Sequence, residues 1–542
     1  MDWLRSLSSS ANSPTSRPLL TTHQLSRSST ASTSTSPATS PATSPTTSKP
    51  AFSASSFATV ILPSLARHSF RTCIHFIIPS FLQPSPPIAP LLPSNHVQVT
   101  SQRPGPRALS PTAYLDGLRG TAAFLVFIYH FVYAYFPSLE YGFLHAPTDT
   151  NLLQLPIIRL FMCGAAMVSI FFVISGYVLS YKALSQIRRG DHAALLSTLC
   201  SSTFRRAIRL FLPTLTSVLL VAVMIQCGAF TWQVKHARMG KEIPGWREQD
   251  PPIIAGAWRQ LHDAFWAWAR MSNPFIWKEY FITYDLHLWT IPVEFRCSIL
   301  IFVCLLALAK AKSWVRMGVL SVSAVACLVY LDRWDVSLFF SGAVLAELTL
   351  VRAEKNKHAS EEVEDEKAGS ITKTDRRDLY MFPILMLGLY IASQPSHEPG
   401  TTPGYRTMTA YTPASVSEKG RFWPSVAAVL IVYALSSSTG RYLQRPFTTA
   451  FAQYLGKISY ALYLVHGPIC RSLGFYSVVK LWGYTGRETV GGYVAGVLGG
   501  GALVLVTVFW VSDMFWRAVD VGCVRLARWV EEICSVSKTE AR

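Results

Sequence analysis

The chain has 542 residues, half of them hydrophobic and only 15% charged, with a mean hydropathy of +0.28. So little charge in a chain this long argues against a soluble globular protein and points to one that lives in a membrane. The net charge of +18, from 49 basic against 31 acidic residues, is read as inter-helix loop charge rather than a nucleic-acid surface, and no nucleic-acid partner is expected.

Residues 1–55 are rich in Ser, Thr and Pro, with the repeat SPATSPATSP. They cannot bury a core and are expected to form a disordered tail, although their scarcity of acidic residues also permits a transit peptide. Residues 56–111 form a linker in which Ile, Leu and Phe alternate with Arg67, His68, Arg71 and several prolines. That mixture is too broken for a span and is expected to lie on the membrane surface.

Apolar runs recur over residues 112–512, at about 115–136, 160–181, 210–229, 286–309, 315–331, 336–351, 379–393, 422–438, 456–479 and 491–512. These predict an all-α integral membrane protein of about ten transmembrane helices, which places both termini on one side. The connection holding Lys182, Arg188, Arg189, Arg205, Arg206 and Arg209 is strongly basic, as are those holding Lys310, Lys312 and Arg316 and then Arg441 and Arg445. The loops of opposite parity, around Tyr141 and Asp332, are poor in Lys and Arg, so both termini are predicted cytosolic. Residues 352–378, which include EEVEDEK, read as a charged cytosolic loop, and 513–542 as a cytosolic tail. The stretch Thr231–Asp285 interleaves Trp232, Trp246, Trp258, Trp266, Trp268 and Trp277 with charges; it either rests on the interface or caps the mouth of a cavity. The ten cysteines include no C-x-x-C pair and lie mostly in apolar runs, so free buried thiols are expected and no metal site.

The first apolar run, YLDGLRGTAAFLVFIYHF, holds Asp116, Arg119 and His130 in or beside a segment otherwise fit for hydrocarbon. Ionisable groups there are costly and mark function. Arg119 and His130 are eleven positions apart, which at about 100° per residue returns to nearly the same helical face after a rise of roughly 16 Å. Asp116 is three residues before Arg119 and within reach to pair with it.

Four blocks in order, LDGLRG followed by His130, FFVISGYVLS, LWTIPVEFR and ISYALYLVHGP, resemble the acyltransferase-3 family of integral membrane acyltransferases, particularly its fungal branch. The resemblance covers about 112–512 and leaves out the N-terminal tail. It implies about ten transmembrane helices, an acyl-CoA or similar thioester as co-substrate with no bound cofactor, and transfer to a hydroxyl of a sugar, lipid, polyketide, terpenoid or other small acceptor. It also marks Arg119 and His130, whose spacing is the family's hallmark.

Beside the resemblance, the chemistry of acyl transfer needs a base for the acceptor hydroxyl and a cationic site for the donor's phosphates. His130 is the natural general base, because neutral imidazole takes a proton near physiological pH; a covalent acyl-His route is the alternative. Glu294 and His466 are expected at a similar depth. Glu294 either orients the imidazole, holds the acceptor, pairs with Arg296 or lines a wet cavity. His466 is either a secondary site residue or a structural histidine bonded to a neighbouring helix. Arg119, Arg205, Arg206, Arg209 and Lys457 are placed near the cytosolic face, where arginine suits phosphate, although the three loop arginines also serve topology alone. Lys457 and His466, nine residues apart, fall on opposite helical faces. Ser175 and Gly176, and the run GGYVAGVLGGG, fit close helix packing better than a nucleophile or a phosphate loop. A transporter, or a membrane protein that keeps the residues without activity, would share the intramembrane charges, but no convincing internal repeat favours the former.

Overall fold

The computed structural model describes residues 76–83, 109–231, 243–246, 248–361, 372–440 and 442–535. Residues 1–55, expected to be a disordered tail, lie outside the described residues, as does most of 56–111. Among the described residues the regular structure is entirely helical, with no strand. The principal helices are α1 (Ala113–Val132), α2 (Gly164–Arg188), α3 (His192–Gln226), α4 (Ala257–Met271), α5 (Thr290–Ala307), α6 (Ser313–Val329), α7 (Trp334–Glu361), α8 (Thr372–Ala392), α9 (Lys419–Ser437), α10 (Ala450–Ile469), α11 (Phe475–Thr485), α12 (Val490–Phe515) and α13 (Val521–Cys534).

Each of the ten apolar runs falls on a helix, and seven of the helices are long and apolar enough to cross a membrane. α6, at 17 residues, is apolar but shorter. α7 continues through the polar stretch as far as Glu361, and beyond α12 the chain stays helical to Cys534. The segment Thr231–Asp285 contributes α4, whose buried positions Gln260, Ala264, Ala267 and Met271 form a single stripe at helical spacing.

Local chemistry explains where several helices begin. Asp191 caps α3 by accepting from the Ala194 N–H at 2.9 Å, and Thr449 caps α10 by accepting from Ala452 N–H at 3.3 Å; each satisfies an orphan donor of the first turn. Glycines bring several helix backbones close together. A Cβ on Gly120 would lie 2.3 Å from the Gly456 nitrogen, so α1 and α10 meet nearly backbone to backbone. Gly176 and Gly342 do the same for α2 and α7: a Cβ on either would lie 2.3 or 2.2 Å from a carbonyl oxygen of the other helix. Such approach gains close van der Waals contact between the helix backbones. The run GGYVAGVLGGG likewise packs α12 on α11, with Gly496 against Trp482 and Gly500 against Val478.

Of the linker, residues 76–83 dock on the end of α12. Ser80 donates to the buried Asp513 through its N–H at 2.9 Å and its hydroxyl at 2.5 Å, and Trp510 Nε1 donates to the Ile77 carbonyl at 2.8 Å.

Candidate active site

The contact between α1 and α10 places the site. Arg119 Nε donates to Ser459 Oγ and its Nη2 to the Gly456 carbonyl, both at 3.1 Å. About three turns further along α1 the His130 ring reaches the His466 ring, with centroids 5.4 Å apart. Both residues thus face α10, as their spacing requires. Lys457 is exposed while His466 is 1% exposed, as opposite faces of one helix dictate.

A third imidazole joins them. Asp285 caps the turn Leu286–Trp289 ahead of α5, which carries His287; the Asp285 carboxylate accepts from the His287 N–H at 3.1 Å and lies 2.7 Å from its Nδ1. The His287 ring lies 4.0 Å from that of His130 and 4.6 Å from that of His466. Glu248, from the segment between α3 and α4, completes the group. Its Oε1 accepts from Tyr133 Oη at 2.7 Å, lies 2.9 Å from His287 Nε2 and 3.5 Å from His130 Nδ1. Burial alone would raise the Glu248 carboxyl, but His287, His130 and Arg471 hold it well below the usual carboxylate range.

What brings Glu248 in is a break in α10. After Pro468 the helix widens into a π-turn, Cys470–Gly474, and such bulges recur at functional sites. There Arg471 is turned toward the loop, donating to the Gln249 carbonyl at 3.1 Å and to the Tyr284 carbonyl, with Nε 3.6 Å from Glu248 Oε2. Gly245 N–H adds a bond to the Ala134 carbonyl at the end of α1, 2.9 Å. The segment therefore caps the cluster through Gly245, Glu248 and Gln249.

The three imidazoles offer nitrogens within 4.8 Å of one another, a spacing that suits a metal ion. However, His287 has Asp285 at Nδ1 and Glu248 at Nε2, so both of its nitrogens already face carboxylates at bonding distance. His466 is fixed by Nδ1 against the Leu462 carbonyl at 3.1 Å. His130 Nδ1, His287 Nε2 and His466 Nε2 are nevertheless buried without a hydrogen bond among the described residues, so the cluster suits either a proton network or a three-nitrogen ligand set. Within it exposure differs: His287 and Glu248 side chains are 5% and 8% exposed, whereas His130 is 21% exposed.

Glu294 lies in a different polar group. Its Oε1 accepts from Ser175 Oγ at 3.2 Å and from Arg206 Nη2 at 2.7 Å, while Arg206 Nε donates to Ser298 Oγ at 3.0 Å. It has no bond to His130 among the described residues, nor to Arg296, which lies two residues on and so points to another side of α5. Asp116 pairs with Arg119 at 3.1 Å, and Arg205 pairs with Glu531 at 3.1 Å. Arg209 is exposed. Asp520 lies within electrostatic range of both Arg209 and Arg119, which places these two cations in one neighbourhood.

Glu248, Asp285, His287, Tyr133 and Arg471 were not marked by the sequence reading. The one local signal is the Asp-x-His of Asp285 and His287, set directly before LWTIPVEFR.

Residues 112–516 match the family described as "Acyltransferase domain". The chain belongs to that acyltransferase family. It is similar to the O-acetyltransferase PaAT-1 of Phomopsis amygdali, 31% identical over 448 residues that cover 78% of this chain and 85% of the relative. It is also similar to acyltransferase R4 of a Phoma species, 27% identical over 461 residues, and to acyltransferase clz18 of Cochliobolus lunatus, 27% identical over 462 residues. Each of those two alignments covers 77% of this chain and 95% of the relative. No solved structure matches the chain. This acyltransferase is thus an enzyme that transfers acyl groups, and its several apolar helices suit the membrane setting of its family.

Proposed function

We propose that this acyltransferase moves an acyl group from acyl-CoA to a hydroxyl of a small-molecule, sugar or lipid acceptor, with His130 as general base. The observation that carries the reading is the position of His130: it is the accessible member of an otherwise buried carboxylate and imidazole network. Nδ1 faces Glu248, which leaves Nε2 as the nitrogen for a substrate. The acceptor oxygen gives its proton to Nε2 as it attacks the thioester carbonyl. Collapse of the tetrahedral intermediate breaks the C–S bond, and the imidazolium returns the proton to the departing thiolate. Glu248 stabilises the imidazolium formed in between, and Asp285 and His287 hold Glu248 in place.

In this reading the stretch of α1 from Arg119 to His130 reaches across about half of the bilayer, within a ten-helix bundle with both termini cytosolic. Arg119 and Arg209 then form the donor entrance, supported by the Asp520 neighbourhood they share, with Asp116, Arg205 and Arg206 organising that face and Glu294 anchoring Arg206. His466 backs His130 from α10. Acyl-CoA is a co-substrate, no bound cofactor is needed, and the lipid bilayer is the surrounding medium.

The Phomopsis relative is called an O-acetyltransferase, so acetyl-CoA is the first donor to try. Purified protein in detergent is to be assayed for acceptor-dependent release of coenzyme A, wild type against His130→Ala. Acceptor-dependent release that disappears in the variant supports the base; undiminished release removes His130 from that role.

A further inference from the structure

Beside the histidine cluster, three arginines from three separate elements are gathered on tryptophan faces. Arg296 of α5 and Arg333, just ahead of α7, lie over the Trp277 ring at 5.4 and 4.6 Å. Arg421 of α9 lies over Trp289 and Trp334 at 5.2 and 4.7 Å, and those two rings meet edge to face at 6.2 Å. Cation–π contact suits a guanidinium but leaves its in-plane N–H donors unused. Here several are both unused and buried: Arg296 Nε and Nη2, Arg333 Nε and Arg421 Nη1 have no acceptor among the described residues. Arg296 is only 5% exposed. Its remaining bond is to the Ile276 carbonyl.

Buried donors without acceptors are costly and uncommon in native proteins, and four of them on three arginines that share Glu279 as a charged neighbour point to a missing acceptor. The cage also has a mouth, since Trp277 is 45% exposed and the Arg333 side chain 28% exposed. The nearby carboxylates do not fill the role. Asp335 pairs with Arg333, and Glu418 accepts from Trp334 Nε1 at 3.1 Å. Burial and the neighbouring Glu418 push the Glu279 carboxyl up to about 7, so near neutral pH it is often uncharged and the balance of the cage is cationic.

The cage borders the proposed site of chemistry. Trp289 ends the turn that carries His287, and Arg421 lies within electrostatic range of Tyr129, next to His130, and of Tyr463, one turn before His466. On the proposed topology Arg333 and Arg421 lie at the non-cytosolic ends of α7 and α9, and Arg296, on the second turn of α5, reaches the same side through Trp277. A monoanion fits better than a phosphate dianion, because three carboxyl groups stand close by; a carboxylate also matches the planar guanidinium fork.

We propose that this cage is an acceptor subsite that takes a carboxylate, so that the preferred acceptor is a hydroxy acid held by Arg296, Arg333 and Arg421 with its hydroxyl toward His130. The orientation of that acceptor rests on the His130 reading, whereas the binding of a carboxylate does not.

The test uses the full chain in detergent and isothermal titration calorimetry with 1-naphthoate, against uncharged 1-naphthamide. Charge-assisted bonds of this kind are worth about tenfold or more in affinity. Wild type is expected to bind naphthoate about tenfold or more tighter than naphthamide, with that preference lost in Arg421→Gln and in Arg296→Gln and partly kept in Arg421→Lys. Because Arg296 is buried, Trp277→Leu, at an exposed position, serves as the variant least able to disturb folding, and it too is expected to weaken naphthoate. Equal binding of the two probes, no binding by wild type, or unchanged naphthoate affinity in Arg421→Gln would overturn the proposal. Competition of coenzyme A with naphthoate would do so as well, by assigning the cations to donor phosphates. Retained naphthoate binding by His130→Ala supports a subsite separate from the base; turnover surviving in that variant would count against the His130 reading and leave the binding result intact.

Discussion

A methyl group on Gly467 would lie 2.4 Å from Nδ1 of His287 and 2.9 Å from Oδ1 of Asp285. The absence of a side chain at this one position of α10 is what lets the Asp285–His287 pair sit against the helix that carries His466. Glycine there costs helix stability, by about 0.5–1 kcal/mol relative to alanine, and the cost is retained at the point where α10 meets the imidazole cluster.

Gly467→Ala therefore separates stability from activity. The helix gains propensity, yet the added methyl must displace His287 or Asp285, since distances under 3 Å to a ring and a carboxylate cannot be absorbed by a flexible chain end. The expected result is unchanged helicity by circular dichroism with acyl transfer reduced about a hundredfold, as when a catalytic group is misplaced by about an ångström. Activity within a factor of two of wild type would show that the Asp285–His287 geometry does not matter to turnover.

Glu248→Gln tests the carboxylate from the other side. Glutamine keeps an acceptor for Tyr133 Oη but loses the charge that faces His287 and His130. As a positioning residue, Glu248 should act on kcat: a fall of about tenfold to a hundredfold, with KM for acyl-CoA unchanged and partial recovery in Glu248→Asp. A rise in KM alone, with kcat intact, would instead assign Glu248 to donor binding.

Helical periodicity explains which parts of this site could be read from the sequence. Arg119 and His130 share a face of α1, and Lys457 and His466 oppose each other on α10, because a helix fixes both relations locally. Gly176 and the glycine run of α12 likewise gave themselves away as packing surfaces, whereas Ser175, expected to pack, donates to Glu294 instead. Glu248 and Asp285 carry no such signature. They sit in non-helical segments, where neither spacing nor hydrophobic pattern encodes direction, and Arg471 secures them through backbone carbonyls that any residue type would offer. Glu294 shows the converse problem: depth along a span is legible, but the helix it faces is not, and α3 supplied its partner. The helix count has a similar origin, since an apolar run identifies a helix more readily than it identifies a full crossing.

A buried ion cluster midway along α7 provides a stability prediction. Glu347 is 0% exposed and bonds Arg316 Nε at 2.7 Å, Ser313 Oγ at 2.7 Å and Arg188 Nη1 at 3.2 Å. Arg316, itself 1% exposed, also donates to the Ala311 carbonyl at 3.0 Å. Glu347→Ala leaves a buried guanidinium uncompensated and should destabilise by about 3–5 kcal/mol, read as the shift in a reversible detergent unfolding curve. Arg188→Ala, which leaves the Arg316–Glu347 pair intact, should cost clearly less. Equal losses would mean that Arg188, not Arg316, is the main counter-ion.

Glu279 predicts a pH dependence of opposite sign to that of an ion-paired carboxylate. Its carboxyl is raised from 4.5 to about 7, chiefly by burial and then by Glu418, with Arg421 and Arg333 opposing. Between those two values the folded protein holds a proton that the unfolded chain has released, so folding is coupled to proton uptake and stability from this group falls as pH rises. The contribution is fully present below about pH 4.5, declines through the interval and is lost above about pH 7. Glu279→Gln mimics the protonated form and cannot titrate. The melting temperature of wild type minus that of Glu279→Gln, followed from pH 5 to pH 8 in one detergent, should therefore become more negative with rising pH and level off near the top of the range. A flat difference, or one that grows positive with pH, would place Glu279 as an ionised partner of Arg421 throughout and remove it from the neutral side of the arginine cage.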